Sequence, residues 1–569
     1  MWYILHMASI QEYASRGNKY FRIVESFRKD GKPAIRVLAH LGRVDDILKR
    51  YKEEPGEIRI SSVSAGAVTA LYNLAMELDI AGKINKGLES SKVHVRRRDG
   101  LSVGETLVAG MIGRSCAPGS KQAYAEWAKQ TWLPQLMGFT AEEVTSQHFW
   151  DQMNVIPIKA LESIETEIVR EVVQIERLKI EALAYDTTNF YTHIATTNKR
   201  AKLPERGHNK QRRHDLRQLG LALAVDKEVQ LPLTHTLYEG ARSDMQTFEK
   251  LLKPIKRKME ELAAGGAEQL TFVFDAGASS KANLKMLSRE QSHYVTAVRP
   301  SSHKKLLAEV AEALVNTELT NGRVVKAWRG RREISGEQRE VAVVFSQALY
   351  EGQQRGFAKA MEKCTERLEK IGSEPKGTVE AIKNRLKKAC GGQYVNRVIR
   401  FAVEEEEGAK KKEREVRIWS DTEEYERLTK RYFGLRILIS DRAEWSTAQI
   451  IEAYRGQSGV EAAFKDLKNP EMLAIRPQFH WTDQKLYVHT FMCVTAYLLT
   501  RLLWWRVRQA KGYTGSSRRL LGELEKIRIC HVIEQKEGAG RKRVRQQVEQ
   551  MESTLEALGQ AARAIPVPA

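Results

Sequence analysis

The rhythm of apolar and polar positions changes several times along the chain. Residues 19–42, KYFRIVESFRKDGKPAIRVLAHLG, alternate with a period of two on both sides of Lys29-Asp30-Gly31-Lys32. That pattern predicts a β-hairpin. A polar link, YKEEPGE, comes after it. From Ser61 to about Leu183 the period becomes helical, through VSAGAVTALYNLAMELDIAGKI, VGETLVAGMIGR and IKALESIETEIVREVVQIERLKIEAL. At Ala182 it changes again. EALAYDTTNFYTH predicts a strand that ends in polar residues, and RQLGLALAVDKEVQLPLTHTLYEG predicts two strands around Asp226-Lys227. A helix (MQTFEKLLKPIKRKMEELAAGG), a strand (QLTFVFDAG), a second helix (SKANLKMLSRE) and another strand (HYVTAVRP) come next. Strands first, then helices alternating with strands, imply an α/β domain with a mixed sheet.

Residues 301–433 read differently. RVVKAWRGRREI and REVAVVFSQALY alternate like strands, EAIKNRLKKACGG is a lysine-rich helical piece, and YVNRVIRFAVEEEEGAKKKEREVRIWSD reads as a hairpin with a charged tip. The expectation is an inserted β-rich subdomain. YFGLRILISD then returns to an apolar strand. Ser446 and Gln449 fit a capping box that starts a helix running to Lys468. The tail from about 515 reads as helical, with a basic cluster at Arg541, Lys542, Arg543 and Arg545. The predicted division is 1–55 hairpin region, 56–180 helical DNA-binding domain, and 181–300 first part of the α/β core. It continues with 301–431 β-rich insertion, 432–512 second part of the core, and 513–569 helical basic tail.

Composition narrows the partners. Lys and Arg outnumber Asp and Glu by 93 to 72, a formal net charge of +21, so a polyanion such as nucleic acid is the expected partner. Arg96, Arg97 and Arg98, in VHVRRRDG, put charge in the helical region, a common plan for DNA binding, although a plain scaffold bundle accounts for the pattern equally well. Five scattered cysteines without a C-x-x-C pair argue against a disulfide framework and a structural zinc site, and fit a reducing cytoplasmic setting. The opening MWYILHMASIQEY lacks the features of a signal peptide. The apolar run TFMCVTAYLLT, ending before Arg501, is too short to cross a bilayer and is expected as a buried helix.

Three acids are candidates for chemistry. Asp186 ends the apolar run LAYD and Asp275 ends LTFVFD, positions where side chains leave a buried strand and where open α/β sheets place ligands. Either alone suits a turn or a helix cap equally well. On one continuous helix over 446–468, Val460, Phe464 and Leu467 share an apolar face. Tyr454, Glu461 and Lys468, seven residues apart, form a stripe at its edge, drifting about 20° per step. A solvated Glu–Lys face explains such a stripe too. Three convergent carboxylates suit hard divalent cations, and two such ions about 3.5–4 Å apart suit phosphodiester chemistry.

These segments resemble a known family. YRGQSGVEAAFKDLKNP is similar to the Y-x-x-R-x-x-x-E-x-x-x-x-x-x-K motif of bacterial insertion-sequence DDE transposases with a ribonuclease H-like core. AYDTTNFY resembles the segment around their first aspartate, TFVFDAGASSKANLKML that around the second, and YFGLRILISDRAEWSTAQIIEAY the entry to the glutamate helix. The resemblance implies a ribonuclease H-like mixed sheet, interrupted by a β-rich insertion, in which Asp186, Asp275 and Glu461 hold two Mg²⁺ (or Mn²⁺) ions. It implies DNA contacts from Tyr454 and Lys468. Gln457 stands where the motif has arginine and cannot supply a guanidinium's bidentate grip, so Arg455 and Lys465 are candidates to compensate. Trp328, in AWRGRR, is a candidate for stacking on a base, or an ordinary packed strand tryptophan. His235 and Glu239 are expected to be structural.

The implied activity is that of a transposase that binds double-stranded DNA at the terminal inverted repeats of its element, cuts and transfers a strand, and forms a homodimer in the synaptic complex. It implies a bacterial, cytoplasmic protein acting on DNA and not on a membrane. Two other readings compete. A catalytically inactive or domesticated DNA-binding protein would account for Gln457. An actin-like ATPase is suggested by Asp275-Ala-Gly-Ala-Ser279, but its phosphate loops open a β-hairpin, whereas Ser280 onward reads as helix, and the Glu461 helix would have no purpose there.

Overall fold

The computed structural model describes residues 8–15, 17–29, 32–45, 47, 56–207, 213–242, 244–262, 270–391, 394–405, 414–476, 478–536 and 543–567. The predicted turn at Asp30-Gly31, most of the YKEEPGE link, the charged tip at 406–413, and Arg541 and Lys542 lie outside them. The chain forms two compact units: residues 1–179, 187–242 and 461–569, and residues 180–186 and 243–460.

The second unit is built on a mixed sheet. Its strands run in the order Val315–Glu318, Val324–Ile334, Glu337–Phe345, Leu435–Ser440, His293–Val298, Thr271–Phe274, and the first residues of Ala182–Tyr191. The last three are parallel, and the others join antiparallel. Thr271–Phe274 (TFVF) is fully buried, as a parallel strand covered on both faces must be. On one face the helix Thr447–Arg455 packs Ile450, Ile451, Ala453 and Tyr454 against Val273, Val295, Ala297, Ala327, Ala342 and Leu438. On the other, Phe248 of the helix Asp244–Leu262 meets Tyr185 edge-on and lies 4.6 Å from Phe274, ring centre to ring centre.

The region read as a β-rich insertion differs from that expectation. Residues 315–345 extend the main sheet, because Glu337–Phe345 pairs with Leu435–Ser440 through Val341, Ala342 and Val343. Residues 347–432 are largely helical. Helices Gln347–Gly372, Val379–Ala389 and Thr422–Tyr432 enclose a separate core of Phe357, Leu368, Ile382, Leu386, Leu428 and Phe433. The small hairpin Ile399–Glu405/Arg414–Ser420 is the β contribution there. Strand-like alternation placed the strands correctly, but it carries no information about which sheet they join.

The first unit centres on the helix Asp483–Lys511. The run TFMCVTAYLLT is only its middle. The whole helix is long and apolar enough to cross a membrane, yet 89% of its apolar window is buried inside the protein. Leu486, Phe491, Cys493, Leu499 and Leu502 are each 0% exposed. The helix Val103–Cys116 approaches it closely: a Cβ on Gly110 would lie 2.3 Å from Met492 Cε, so a larger residue there would require the methionine end to move. The N-terminal strands Asn18–Lys29 and Lys32–Arg43 pair as expected, and Ala8–Ser15 adds a third strand. Gln218–Asp226 and Pro232–Glu239 form an antiparallel pair. The tail is helical at Ser517–Leu524 and Ser553–Ala561, as expected, but between them Arg528–Lys536 pairs with both Arg543–Val548 and Gly56–Ser64. Basic residues had obscured the alternation Ile529, His531, Ile533.

Candidate active site

Asp186 and Asp275 come to the same level of the sheet for a backbone reason. The parallel strands pair Ala182 with Thr271 and Tyr185 with Phe274, so each aspartate is the next residue after the last paired position. Parallel neighbours lie about 4.7–4.9 Å apart. The two side chains therefore stand side by side where the parallel pairing ends, Asp275 just past its strand and exposed, Asp186 midway along Ala182–Tyr191 and half-buried. Asp275 is held in place locally. Its Oδ1 accepts from the Ala276 N–H at 2.6 Å and from the Tyr454 hydroxyl at 3.3 Å.

After Asp275 the chain makes a tight turn, with Ala278 N–H donating to Asp275 O at 3.0 Å. Ser280 then caps the helix Lys281–Arg289 by accepting from Asn283 N–H at 3.1 Å. Strand, turn and helix succeed one another, so the β-hairpin that the ATPase reading requires is not formed at this loop.

The glutamate segment is two helices, not one. Thr447–Arg455 and Gln457–Lys468 meet at Gly456, whose N–H shares the Glu452 and Ala453 carbonyls. Glycine has weak helix propensity, and the sequence signal for this break was Gly456 itself. Tyr454 thus belongs to the first helix, and the sevenfold stripe is interrupted between it and Glu461. The capping box at Ser446 and Gln449 is formed in full.

Several residues expected to touch DNA make contacts within the protein. Tyr454 is 6% exposed, with the Arg436 guanidinium 5.2 Å from its ring centre. Gln457 is 5% exposed, and its Nε2 donates to the Tyr185 carbonyl at 3.0 Å, fixing the residue before Asp186. Trp328 is half-buried and Arg332 already covers its ring at 4.9 Å. Arg97 pairs with Glu105, and Arg98 with Asp99 and Asp151. Among the described residues Arg96 makes no ion pair. Arg455 is half-buried and Lys465 exposed.

Glu461 is exposed, one helical turn after Gln457 on the same helix. Lys468 closes that helix, and its Nζ donates to the Asn189 carbonyl at 3.1 Å and to the Thr188 hydroxyl. Among the described residues no three His, Cys, Asp or Glu side chains stand close enough to hold one metal ion. The aspartate pair by itself fits a hard divalent ion, whose usual protein ligands are one or two carboxylates completed by water and phosphate oxygens.

The sequence reading missed the groups that set the strands from their other end. Arg442, 5% exposed, donates twice to Thr271 Oγ1, the first residue of the Asp275 strand, at 3.1 and 3.0 Å. Asp441 accepts from Tyr294 N–H at 2.8 Å and contacts His293 Nδ1 at 2.7 Å, while burial pushes its carboxyl above the usual range. Charged residues directly after an apolar strand were the available signal.

The model of the Transposase DDE domain matches residues 177–499, more than half of the chain. The chain belongs to the DDE transposases. Residues 10–60 of the transposase match the model of the IS1634 family transposase N-terminal domain, which makes it of the insertion-sequence kind. Among solved structures the transposase is similar to the cryo-EM structure of a piggyBac transposase synaptic complex with hairpin DNA. That likeness covers 80% of this chain and 79% of the other, at 10% identity and a TM-score of 0.36. No curated protein matches it.

Proposed function

We propose that the transposase cuts DNA at the terminal inverted repeats of its element and joins the freed 3′ end to another strand, with Asp186, Asp275 and Glu461 as its metal-binding carboxylates. The observation that carries this reading is the register Tyr185–Phe274, which sets two aspartates side by side where the parallel pairing ends. The parallel strands around them are read as a ribonuclease H-like core. Glu461, one turn beyond the Gln457 anchor, is the third acid by its place in the motif. Bound Mg²⁺ or Mn²⁺ would neutralise charge at the attacking and leaving oxygens of the phosphodiester.

The chain's own residues prepare the site. The Tyr454 hydroxyl orients the Asp275 carboxylate. Gln457 holds the backbone before Asp186, and Lys468 ties the end of the glutamate helix to residues 188 and 189. Exposed cations, Arg96 and Lys465 among them, hold the DNA backbone through its phosphates. Synapsis of two ends calls for a homodimer.

Asp186→Asn and Asp275→Asn proteins are expected to bind repeat-end duplex about as well as the parent and to cut none of it in Mg²⁺. Undiminished nicking by either variant contradicts the assignment. If the parent binds but never cuts in Mg²⁺ or Mn²⁺, the inactive-binder reading replaces it. Gln457 lends that reading little weight, because its amide has a structural partner.

A further inference from the structure

Two large aromatic side chains of the first unit stand open to solvent close together in sequence: Phe479 is 58% exposed and Trp481 is 67% exposed. Their loop is not loose. Gln478, just before them, is fully buried, and its carbonyl accepts from His193 N–H at 3.1 Å. Asn198 Nδ2 donates to the Trp481 carbonyl at 3.0 Å, and Lys202 N–H donates to Asp483 Oδ1 at 2.9 Å. The loop after strand Ala182–Tyr191 and the loop before helix Asp483–Lys511 therefore form one surface. Arg217 staples the first loop from beneath, donating to the Asn198 carbonyl at 3.0 Å and the Ala201 carbonyl at 2.6 Å.

Phe479 ends a row of rings, Phe479–His193–Tyr191, and cations flank Tyr191. His193 stacks on Phe479, with ring centres 5.3 Å apart and planes 20° from parallel. Tyr191 has two guanidinium groups over its ring, Arg476 at 5.3 Å and Arg213 at 5.6 Å. The adjoining loop carries Lys199, Arg200, Lys202 and Arg206, all exposed, and none makes an ion pair among the described residues.

Neither half of this surface is explained by the fold. Exposed Phe and Trp in one patch mark an interaction site. Aromatic residues and arginine are enriched at protein–protein interfaces and lysine is depleted, so residue types alone do not decide the partner; cations outside any ion pair fit a polyanion. Duplex DNA offers phosphates for the cations but no open base faces for the rings. Single strands offer both: phosphates along the backbone and bases that stack on aromatic side chains whatever their sequence.

We propose that Phe479 and Trp481, with the cationic loop 199–206, form a binding platform for unpaired, single-stranded DNA. This rests on the DNA-processing reading above, but concerns a surface that contains none of the proposed metal-binding residues.

The test uses the full chain and a short single-stranded oligonucleotide carrying 2-aminopurine, whose fluorescence falls on stacking. The parent is expected to quench the probe. Trp481→Ala and Phe479→Ala are each expected to weaken single-strand binding by about 5- to 150-fold, with duplex binding and end cleavage nearly unchanged. Trp481→Phe should restore much of the loss, which separates stacking from misfolding. Lys199→Gln with Arg200→Gln should weaken both DNA forms. Unchanged single-strand affinity in both alanine variants overturns the proposal. So does an equal loss for single strand and duplex, or a shift to monomer by sedimentation, which would make the patch a subunit interface. Absence of cleavage by the parent, with quenching intact, removes the enzymatic reading and leaves the platform standing.

Discussion

Tyr454 shows how one side chain joins fold and chemistry. Its ring is part of the core beneath the sheet, and its hydroxyl reaches Asp275. Tyr454→Phe keeps the packing and removes the hydrogen bond to a carboxylate, an interaction that contributes about 1.5–3 kcal/mol when charge is involved. Cleavage of end DNA is expected to slow by about 10- to 150-fold, with end binding unchanged. A rate equal to the parent's in a single-turnover assay would deny Tyr454 its positioning role. Gln457→Leu removes the donor to the Tyr185 carbonyl and is expected to cost about 1–3 kcal/mol of stability. Urea denaturation monitored by tryptophan fluorescence reads that loss. The two aspartates were legible from sequence because each terminates an apolar run. The burial of Tyr454 and Gln457 was not, since a motif records residue identity and spacing but not which way a helix faces.

The elements show the same division. The capping box at Ser446 was legible because its two polar residues satisfy each other's backbone, a local event. Ser446→Ala should cost about 0.5–2 kcal/mol and raise amide exchange over Thr447–Arg455 more than elsewhere. Uniform protection in that variant would mean the cap does not hold the helix. The helix break at Gly456 and the helical content of 347–432 were harder to read. There tertiary partners decide: strand Glu337–Phe345 joins the main sheet by pairing with Leu435–Ser440, far along the chain. In the other unit, Arg506 of the helix Asp483–Lys511 hydrogen-bonds Glu77 of the helix Gly66–Glu77 at 2.7 Å, and Arg563 approaches Glu77 at 2.8 Å. Those bonds, Arg506 first, hold the Glu77 carboxyl below its usual range. A depressed carboxylate stabilises above its unfolded pKa, about 4.3, and loses that stabilisation as pH falls through the folded value. The acid limb of the parent's stability curve should therefore be steeper than that of Glu77→Gln. Identical limbs would show that this clamp adds nothing.

At the scale of the whole molecule, the formal net charge of +21 predicts binding dominated by phosphate contacts. If about 6–10 phosphates are engaged, end-duplex affinity should fall by about 10³–10⁵ between roughly 50 and 200 mM salt. A shallow dependence, measured by titration, would point to base contacts instead. The most direct measurement replaces Mg²⁺ with Fe²⁺ in the DNA-bound transposase and maps peptide-bond cuts made by locally generated hydroxyl radicals. Cuts flanking Asp186, Asp275 and Glu461 together, suppressed by excess Mg²⁺ and lost in Asp275→Asn, are the expected result. Cuts at only one of the three segments, or cuts that Mg²⁺ does not suppress, would show that these carboxylates do not share a metal site.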